Sequence, residues 1–220
     1  MSVLVLLRHG ESDWNAADVF AGWMDVALSE RGERQAEQAG ALLAASGCFP
    51  EVAHTSVQRR AVKTANLALA ACGRSWVPVR RSWRLNSNHY GALEGRSKSE
   101  VRAEVGEAEY RLLHRGFRVR PPQGEPEDDP RYAALPPEVR PRGESLHDVL
   151  ERLLPYWYDM IVPDLHRRGC VLVVSHGNTL RALVKHLDGV SDEGVSSLEV
   201  PNALPLCYEF HAGKVTRLDS

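Results

Sequence analysis

The sequence lacks the features that mark disulfide-stabilised, zinc-binding and membrane proteins. Its 220 residues include four cysteines that lie far apart and form no Cys-x-x-Cys pair, so neither a zinc site nor a disulfide framework is indicated. No apolar run is long enough to span a bilayer, and no basic segment with an apolar core and a cleavage site stands at the N-terminus. These absences predict a soluble protein of the reducing cytoplasm with no membrane partner. The cysteines are Cys48, Cys72, Cys170 and Cys207.

An excess of charge of either sign is also missing. The formal net charge is −2, although 25% of the residues are charged. A protein that binds nucleic acid needs positive charge to meet the phosphate backbone, and here such charge can act only where it converges locally. The charge balance therefore predicts a small ligand and no nucleic-acid partner.

What the sequence does contain is an alternation of apolar runs and amphipathic segments, over a length that suits one large domain. The runs at 3–7 and 171–174 are typical of buried parallel strands, and the alternation with helical patterns predicts an α/β fold. Further strands are predicted at about 51–54, 77–83 and 206–210. Helices are predicted to begin after Ser29, to run from Arg60 to Leu69, to begin at Ser145 and to end at about Leu187.

One segment differs in composition from the predicted strands and helices. Residues 117–143 are rich in proline and charge, which predicts an inserted loop or lid. After it, Ser145 and Asp148 resemble a capping box, and Pro155 is expected to bend the helix that follows. We therefore expect a single domain, residues 1–220, with a lid-like insertion at about 96–144.

Two of the predicted strands end in the same way, in a histidine followed by glycine. His9 follows the first run and His176 follows the run at 171–174. In an open α/β sheet, ligands bind beyond the carboxyl ends of the strands, and a helix that begins near Asn178 would direct free N–H groups at an anion. One such histidine alone is more often a hydrogen-bonded strand end. Two in the same context, with Arg8 beside one of them, indicate a site.

These stretches resemble the histidine phosphatase superfamily, through the motifs LLRHGES and VVSHGNTLRALVKHLDG. Within it the chain is similar to the cofactor-dependent phosphoglycerate mutases, on FAGWMDVALSERG, TSVQRRAVKT, WRLN, HYGALEG and PYWYDMI. The resemblance runs from about residue 3 to residue 210, and it implies a three-layer α/β/α sandwich with a mostly parallel central sheet. It also implies a phosphohistidine enzyme that uses 2,3-bisphosphoglycerate as a primer and no metal, assembled as a homodimer or homotetramer.

The resemblance implies a role for each matching residue. His9 resembles the nucleophile, a neutral imidazole whose other nitrogen is held by a carbonyl group. Arg8, Arg60 and His176 are expected to surround the transferring phosphoryl group, because guanidinium groups and an imidazolium stabilise the charge on its equatorial oxygens. Without the resemblance, Arg60 would be assigned to a solvated helix face. The implied substrate-binding residues are Ser12, Asn15, Ala21, Gly22, Ser87, Tyr90, Lys98, His114, Arg115, Gly177 and Asn178.

The departures from the mutase pattern concern the part of the site that faces the substrate. Where the mutases read Leu-Asn-Glu-Arg-His-Tyr-Gly, this chain has Ser87 for the glutamate that acts as general acid and base, and Asn88 for the arginine. His114 replaces one arginine of a pair, and Ala21 replaces a threonine. General acid–base catalysis is worth about 10²–10⁴-fold, or roughly 3–5.5 kcal/mol, and serine has no accessible pKa near neutrality. We therefore expect a phosphoryl donor with a good leaving group, or another proton source, for which a protonated His114 is the candidate.

A second departure concerns the exclusion of water from the site. The mutases commonly carry a C-terminal tail that closes over the site, whereas this sequence stops at Ser220, soon after the strand at 206–210. An open site would leave phosphohistidine exposed to hydrolysis. This favours phosphatase chemistry, unless residues 117–143 close the site instead.

Three functions stay open on these grounds. The first is phosphoglycerate-mutase-like transfer on a small phosphorylated carboxylic acid, with 3-phosphoglycerate to 2-phosphoglycerate as the default reaction. The second is a phosphatase of the same superfamily for a different small phosphorylated metabolite, and a mutase paralogue of decayed activity also fits Ser87. The third is a non-catalytic anion-binding protein on the same fold, against which the joint presence of Arg8, His9, Arg60 and His176 speaks.

Overall fold

The computed structural model describes residues 1–125 and 128–218, and a six-stranded sheet forms its centre. The strand order is β3-β2-β4-β1-β5-β6. The first four strands run parallel to one another, while β5 and β6 form an antiparallel hairpin at one edge. The strands are β1 (Ser2–Arg8), β2 (Val52–Thr55), β3 (Val79–Arg81), β4 (Cys170–Ser175), β5 (Leu206–His211) and β6 (Lys214–Arg217).

Eight α-helices connect these strands in the described part of the chain. A π-helical turn, Trp157–Ile161, joins the sixth helix to the seventh, and short 3₁₀ turns occur in the connections. The helices are α1 (Asp13–Ala16), α2 (Glu30–Ala45), α3 (Arg59–Ala71), α4 (Lys98–Val105), α5 (Glu107–Arg115), α6 (Leu146–Tyr156), α7 (Val162–Arg167) and α8 (Gly177–Asp188).

The two faces of the sheet bury different sets of side chains, and this produces three layers. In β1, Leu4 and Leu6 pack in a cluster with residues of α6, α7 and α8, while Val5 and Leu7 pack in a second cluster with residues of α2 and α3. All four side chains are fully buried, and each contributes about 1.5–3 kcal/mol by leaving water. The α/β/α sandwich with a mostly parallel sheet is thus confirmed.

Helix starts that the sequence predicts are present, with the predicted caps. The Oγ of Ser29 accepts a hydrogen bond from the Gly32 N–H at the start of α2. Ser145 and Asp148 form the capping box of α6. Pro155 lies inside α6, directly before the π-helical turn, where the regular helical hydrogen-bond pattern is interrupted.

The third strand is shorter than the predicted strand at 77–83, and the predicted insertion at about 96–144 begins with helices. β3 has only three residues, and directly after it the Ser82 Oγ caps a 3₁₀ turn by accepting the Arg84 N–H. Within 96–144, α4 and α5 come first, and only the later part is turn-rich. The helices are held by a small apolar cluster of Phe20, Tyr90, Leu93, Val101 and Tyr110.

The described residues bear on membrane-spanning helices and on the state of the cysteines. No helix among them is both long and apolar enough to cross a membrane. All four cysteines carry free thiols, and they pack in or against the cluster between the sheet and helices α2 and α3.

Candidate active site

The parallel pairing of β1 and β4 brings the two predicted histidines together. Arg8 pairs with Ser175 in the ladder, and the His9 N–H donates to the Ser175 carbonyl oxygen at 2.9 Å. His9 and His176 therefore follow neighbouring strand ends, and their ring centroids lie 5.0 Å apart. Both are almost fully buried at the carboxyl end of the sheet, where α/β folds place their ligands.

The His9 ring is fixed in one tautomer by its neighbour. Nδ1 lies 2.6 Å from the Gly10 carbonyl oxygen, which can only accept, so Nδ1 carries the proton and Nε2 keeps its lone pair. Burial, together with the positive charges of Arg60 and Arg8, lowers the pKa of His9 well below its ordinary value. The imidazole is thus neutral at physiological pH, as a nucleophile must be.

His176 is neutral as well in the site without a ligand. Its Nε2 lies 2.8 Å from the Ser56 Oγ, and its Nδ1 is buried with no hydrogen-bond partner. Burial lowers the pKa of His176 well below the ordinary value, and the charge of Arg60 lowers it further. The sequence could not predict this, because the effect depends on burial and on cations brought from distant positions.

Two arginines approach the histidines with part of their donors unused. Arg8 donates from Nη1 to the Val200 carbonyl oxygen at 2.9 Å. Arg60 donates from Nη2 to the Gly22 carbonyl oxygen at 2.7 Å and from Nη1 to the Met24 carbonyl oxygen at 2.8 Å. The buried Nε of each has no partner. An unsatisfied buried donor costs about 1–3 kcal/mol, and an anion in the site would relieve that cost. Burial lowers the pKa of Arg60 to about 10, so the side chain keeps its charge at neutral pH.

Two glycines in the site lie close to neighbouring side chains. A Cβ on Gly177 would lie 3.3 Å from the Nε and Cζ of Arg8, so glycine lets the guanidinium lie against the start of α8. Gly22 has a φ of +50°, and a Cβ there would lie 1.9 Å from Oε1 of Glu94. That carboxylate oxygen also accepts the Trp23 N–H at 2.9 Å, which ties down the loop that carries the Arg60 acceptors.

A cleft of about 170 Å³ opens in front of His9, and all predicted site residues except one line it. The exception is Ser12, which is fully buried and caps α1 by accepting the Asn15 N–H. The predicted residues that line the cleft are Arg8, His9, Asn15, Ala21, Gly22, Arg60, Ser87, Tyr90, Lys98, His114, Arg115, His176, Gly177 and Asn178.

The cleft also contains Asn88, which the sequence analysis noted only as a departure from the mutase pattern, and four residues that it did not mention. They are Val19, Arg181, Glu199 and Val200. Arg181 follows Asn178 by three positions in α8, so helical periodicity could have found it; it donates to the Asn178 Oδ1 at 2.7 Å. Glu199 lies in a connection before β5, and no local pattern points to it.

The backbone around Ser87 is held rigidly although the expected glutamate is missing. Arg152, from α6, donates to the carbonyl oxygens of Arg84 at 2.6 Å and Ser87 at 2.9 Å. Its Nε lies 2.6 Å from Oε1 of Glu144, whose Oε2 accepts the His89 N–H at 2.9 Å. This buried ion pair fixes the segment 84–89, and Ser87 itself lines the cleft.

His114 lines the cleft as a neutral residue. Burial and the charges of Lys98, Arg115 and other cations lower the pKa of His114 to about 3. The ring packs edge-on against Phe20, with centroids 5.6 Å apart, and lies near Tyr110. In the resting protein it therefore neither supplies a positive charge nor holds a proton to donate.

His114→Gln is expected to leave the pH dependence of turnover unchanged. A group whose pKa is lowered to about 3 binds its proton only below that pH, so imidazole and amide are both neutral from about pH 5.5 to 8.5. The measurement is kcat/KM against pH for the wild type and the variant. Loss of an acid limb in the variant alone would identify His114 as the proton donor after all.

The electrostatics of the cleft favour an anion with more than one charged group. Five cationic side chains line it, and in the described residues its lining includes a single carboxylate, that of Glu199. The cations are Arg8, Arg60, Lys98, Arg115 and Arg181. The described chain also holds a cluster of His147, Asp148 and Glu151, but none of these lines the cleft, and Asp148 accepts from Arg120 at 2.6 Å.

The chain is similar to known proteins over nearly its whole length. Residues 4–218 match the family model of the histidine phosphatase superfamily (branch 1). The chain is 55% identical over 215 residues to a 2,3-bisphosphoglycerate-dependent phosphoglycerate mutase of Streptomyces griseus, which covers 95% of this chain and 85% of that protein. The corresponding protein of Thermobifida fusca is 52% identical over 217 residues, which cover 96% of this chain and 88% of that protein. A phosphoglycerate mutase of Candida albicans is 49% identical over 215 residues, which cover 95% of this chain and 87% of that protein.

Solved structures share the fold at lower identity. A mycobacterial glucosyl-3-phosphoglycerate phosphatase superposes with a TM-score of 0.77 at 25% identity, over 99% of this chain and 97% of that chain. Bacillus stearothermophilus YhfR superposes with a TM-score of 0.77 at 25% identity, over 99% of this chain and 95% of that chain.

Proposed function

This chain belongs to the histidine phosphatase superfamily (branch 1), and we propose that it transfers a phosphoryl group through His9, with 3-phosphoglycerate and 2-phosphoglycerate as its default substrate and product. It is a phosphoglycerate-mutase-like enzyme acting on a small phosphorylated substrate. The observation that carries the proposal is the His9 ring, whose Nδ1–H is held by the Gly10 carbonyl oxygen in a cleft lined by five cations.

In the proposed reaction, a hydroxyl of bound 3-phosphoglycerate attacks the phosphohistidine: a phosphorus–oxygen bond forms, the phosphorus–nitrogen bond breaks, the lone pair returns to Nε2 of His9, and the hydroxyl proton passes to solvent. Nε2 of His9 then attacks the other phosphorus of the bisphosphorylated acid, the bond from that phosphorus to the substrate oxygen breaks, and the leaving alkoxide takes up a proton from solvent, which regenerates the phosphohistidine and releases 2-phosphoglycerate. Arg8, Arg60 and His176 surround the transferring group, and their donors meet its equatorial oxygens. The unpartnered Nε atoms of the two arginines and the unpartnered Nδ1 of His176 are free for this role.

The cleft fits a primer with two phosphate groups. Arg8 and Arg60 serve a group near His9, while Lys98 of α4 and Arg115 of α5, which line the same cleft, serve the second group. When bound there, 2,3-bisphosphoglycerate supplies the phosphoryl group that charges His9. The dependence of the relatives in Streptomyces griseus and Thermobifida fusca on 2,3-bisphosphoglycerate supports the assignment.

We expect protonation of the leaving alkoxide to be the slow step. Ser87 stands where the mutases carry their acid, and the lowered pKa of His114 speaks against it as the alternative proton source. We expect isomerisation slower by about 10²–10⁴-fold than in a relative with the glutamate.

Hydrolysis is the second candidate function, and the same position favours it. Without the acid, a donor with a good leaving group can still phosphorylate His9, and water can then attack the phosphohistidine: the phosphorus–oxygen bond forms, the phosphorus–nitrogen bond breaks, and the proton of the water passes to solvent. Phosphatases of this fold exist, including the mycobacterial glucosyl-3-phosphoglycerate phosphatase. We further propose a cytoplasmic homodimer or homotetramer, on the resemblance to the mutases.

Phosphorus NMR on the protein with 3-phosphoglycerate and a trace of 2,3-bisphosphoglycerate tests the proposal. We expect 2-phosphoglycerate to appear, slowly, with little free phosphate. A mutase that carries the glutamate is the positive control. Free phosphate without the isomer would replace mutase by phosphatase activity, and no reaction would reject phosphoglycerate as the substrate.

A further inference from the structure

Three arginines converge on one side of the cleft, and they repel one another. Burial lowers the pKa of Arg181 to about 10, and the charge of Arg115 lowers it further. The pKa of Arg8 is lowered by burial, and Arg115 again contributes. Such a group of cations needs negative charge nearby, from a ligand or from the protein itself.

Glu199 supplies that charge when no ligand is bound. Its Oε1 lies 2.8 Å from Nη2 of Arg115, and its attraction raises the pKa of both Arg8 and Arg181. The same Nη2 donates to the Leu198 carbonyl oxygen at 2.8 Å, so Arg115 is held by two neighbouring acceptors of the 198–200 segment.

The pair is accessible from the cleft rather than locked inside the protein. The side chain of Glu199 is 74% exposed and that of Arg115 is 28% exposed. An exposed carboxylate can leave its partner at little cost, and an exposed ion pair is worth about 0.2–1 kcal/mol, a factor of about 1.4 to 5 in binding. Glu199 therefore opposes an incoming anion without excluding it.

We propose that Glu199 is a specificity-determining residue, an internal competitor for Arg115 that disfavours substrates with a second anionic group. The inference rests on the proposed function, in which Arg115 receives that second group. Glu199 shifts the balance toward phosphate esters whose remainder is neutral, because it occupies Arg115 at 2.8 Å.

The test compares two ligands that differ in one carboxylate, 3-phosphoglycerate and glycerol 3-phosphate, by isothermal titration calorimetry. In Glu199→Gln we expect the dissociation constant of 3-phosphoglycerate to fall by about 2- to 5-fold, and that of glycerol 3-phosphate to change by less. The ratio of the two constants is the readout. Because both are binding constants of the resting protein, they do not depend on whether the bound ester is isomerised or hydrolysed.

A matched variant separates this competition from a general change in charge. Asp192→Asn removes one negative charge from the same connection, but Asp192 pairs with Lys185 at 2.9 Å and Arg118 at 3.1 Å and does not line the cleft. We expect the ratio to stay unchanged in this control. Equal tightening of both ligands in Glu199→Gln, or weaker binding of 3-phosphoglycerate, would overturn the inference; the second result would mean that Glu199 orients Arg115 for the substrate.

Discussion

Replacing His9 with glutamine is expected to abolish phosphoryl transfer, with a loss of about 10⁴-fold or more in turnover. The reaction as proposed has no route around the nucleophile, because the attack and the intermediate both need Nε2 of His9. Glutamine retains an N–H group for the Gly10 carbonyl oxygen and leaves the cations of the cleft in place, so the fold and anion binding should persist.

The measurement is covalent labelling with 2,3-bisphosphoglycerate that carries radioactive phosphate. The wild type should take up an acid-labile label at His9, and His9→Gln should take up none. His114→Gln is the matched control, a substitution of the same type in the same cleft, and it should keep the label. A label that persists in His9→Gln would place the nucleophile elsewhere. Absence of label from the wild type would favour the non-catalytic anion-binding protein.

The centre of the site was predictable because it depends on short-range patterns. A buried apolar run that ends in His9 and Gly10, repeated at His176 and Gly177, fixes which end of the sheet carries the chemistry. The parallel pairing of β1 and β4 then follows from the fold class, and with it the 5.0 Å between the rings.

The rest of the site depends on contacts between distant parts of the chain. The neutral state of His176 and His114 requires knowledge of burial and of the cations that surround them, which no local pattern carries. Ser12 fits a donor to the anion in sequence, but in the structure its Oγ is used within α1. The pairing of Glu199 with Arg115 spans 84 positions and becomes visible only in the folded chain.

Restoring the missing acid is expected to restore fast isomerisation. Ser87→Glu should raise the rate of conversion of 3-phosphoglycerate to 2-phosphoglycerate by about 10²-fold or more, within the 10²–10⁴-fold range of general acid–base catalysis. We expect this because the backbone of segment 84–89 is held in place whichever side chain stands at position 87. Arg152 and Trp23 both donate to the Ser87 carbonyl oxygen, at 2.9 and 2.7 Å. A longer side chain at this position points to the cleft that Ser87 already lines.

Ser87→Gln separates the proton from the shape of the side chain. Glutamine has the size of glutamate but cannot give or take the proton, so it should stay as slow as the wild type. Phosphorus NMR of both variants with 3-phosphoglycerate and a trace of 2,3-bisphosphoglycerate gives the isomer and free phosphate in one measurement. Because glutamate can give a proton to the leaving alkoxide and take one from the attacking hydroxyl, Ser87→Glu should raise the rate of isomer formation, and the phosphate signal shows how far the same carboxylate also activates water. Equal rates for the two variants would mean that the lost glutamate does not limit this enzyme, and that the proton reaches the leaving oxygen by a route that Ser87 does not control.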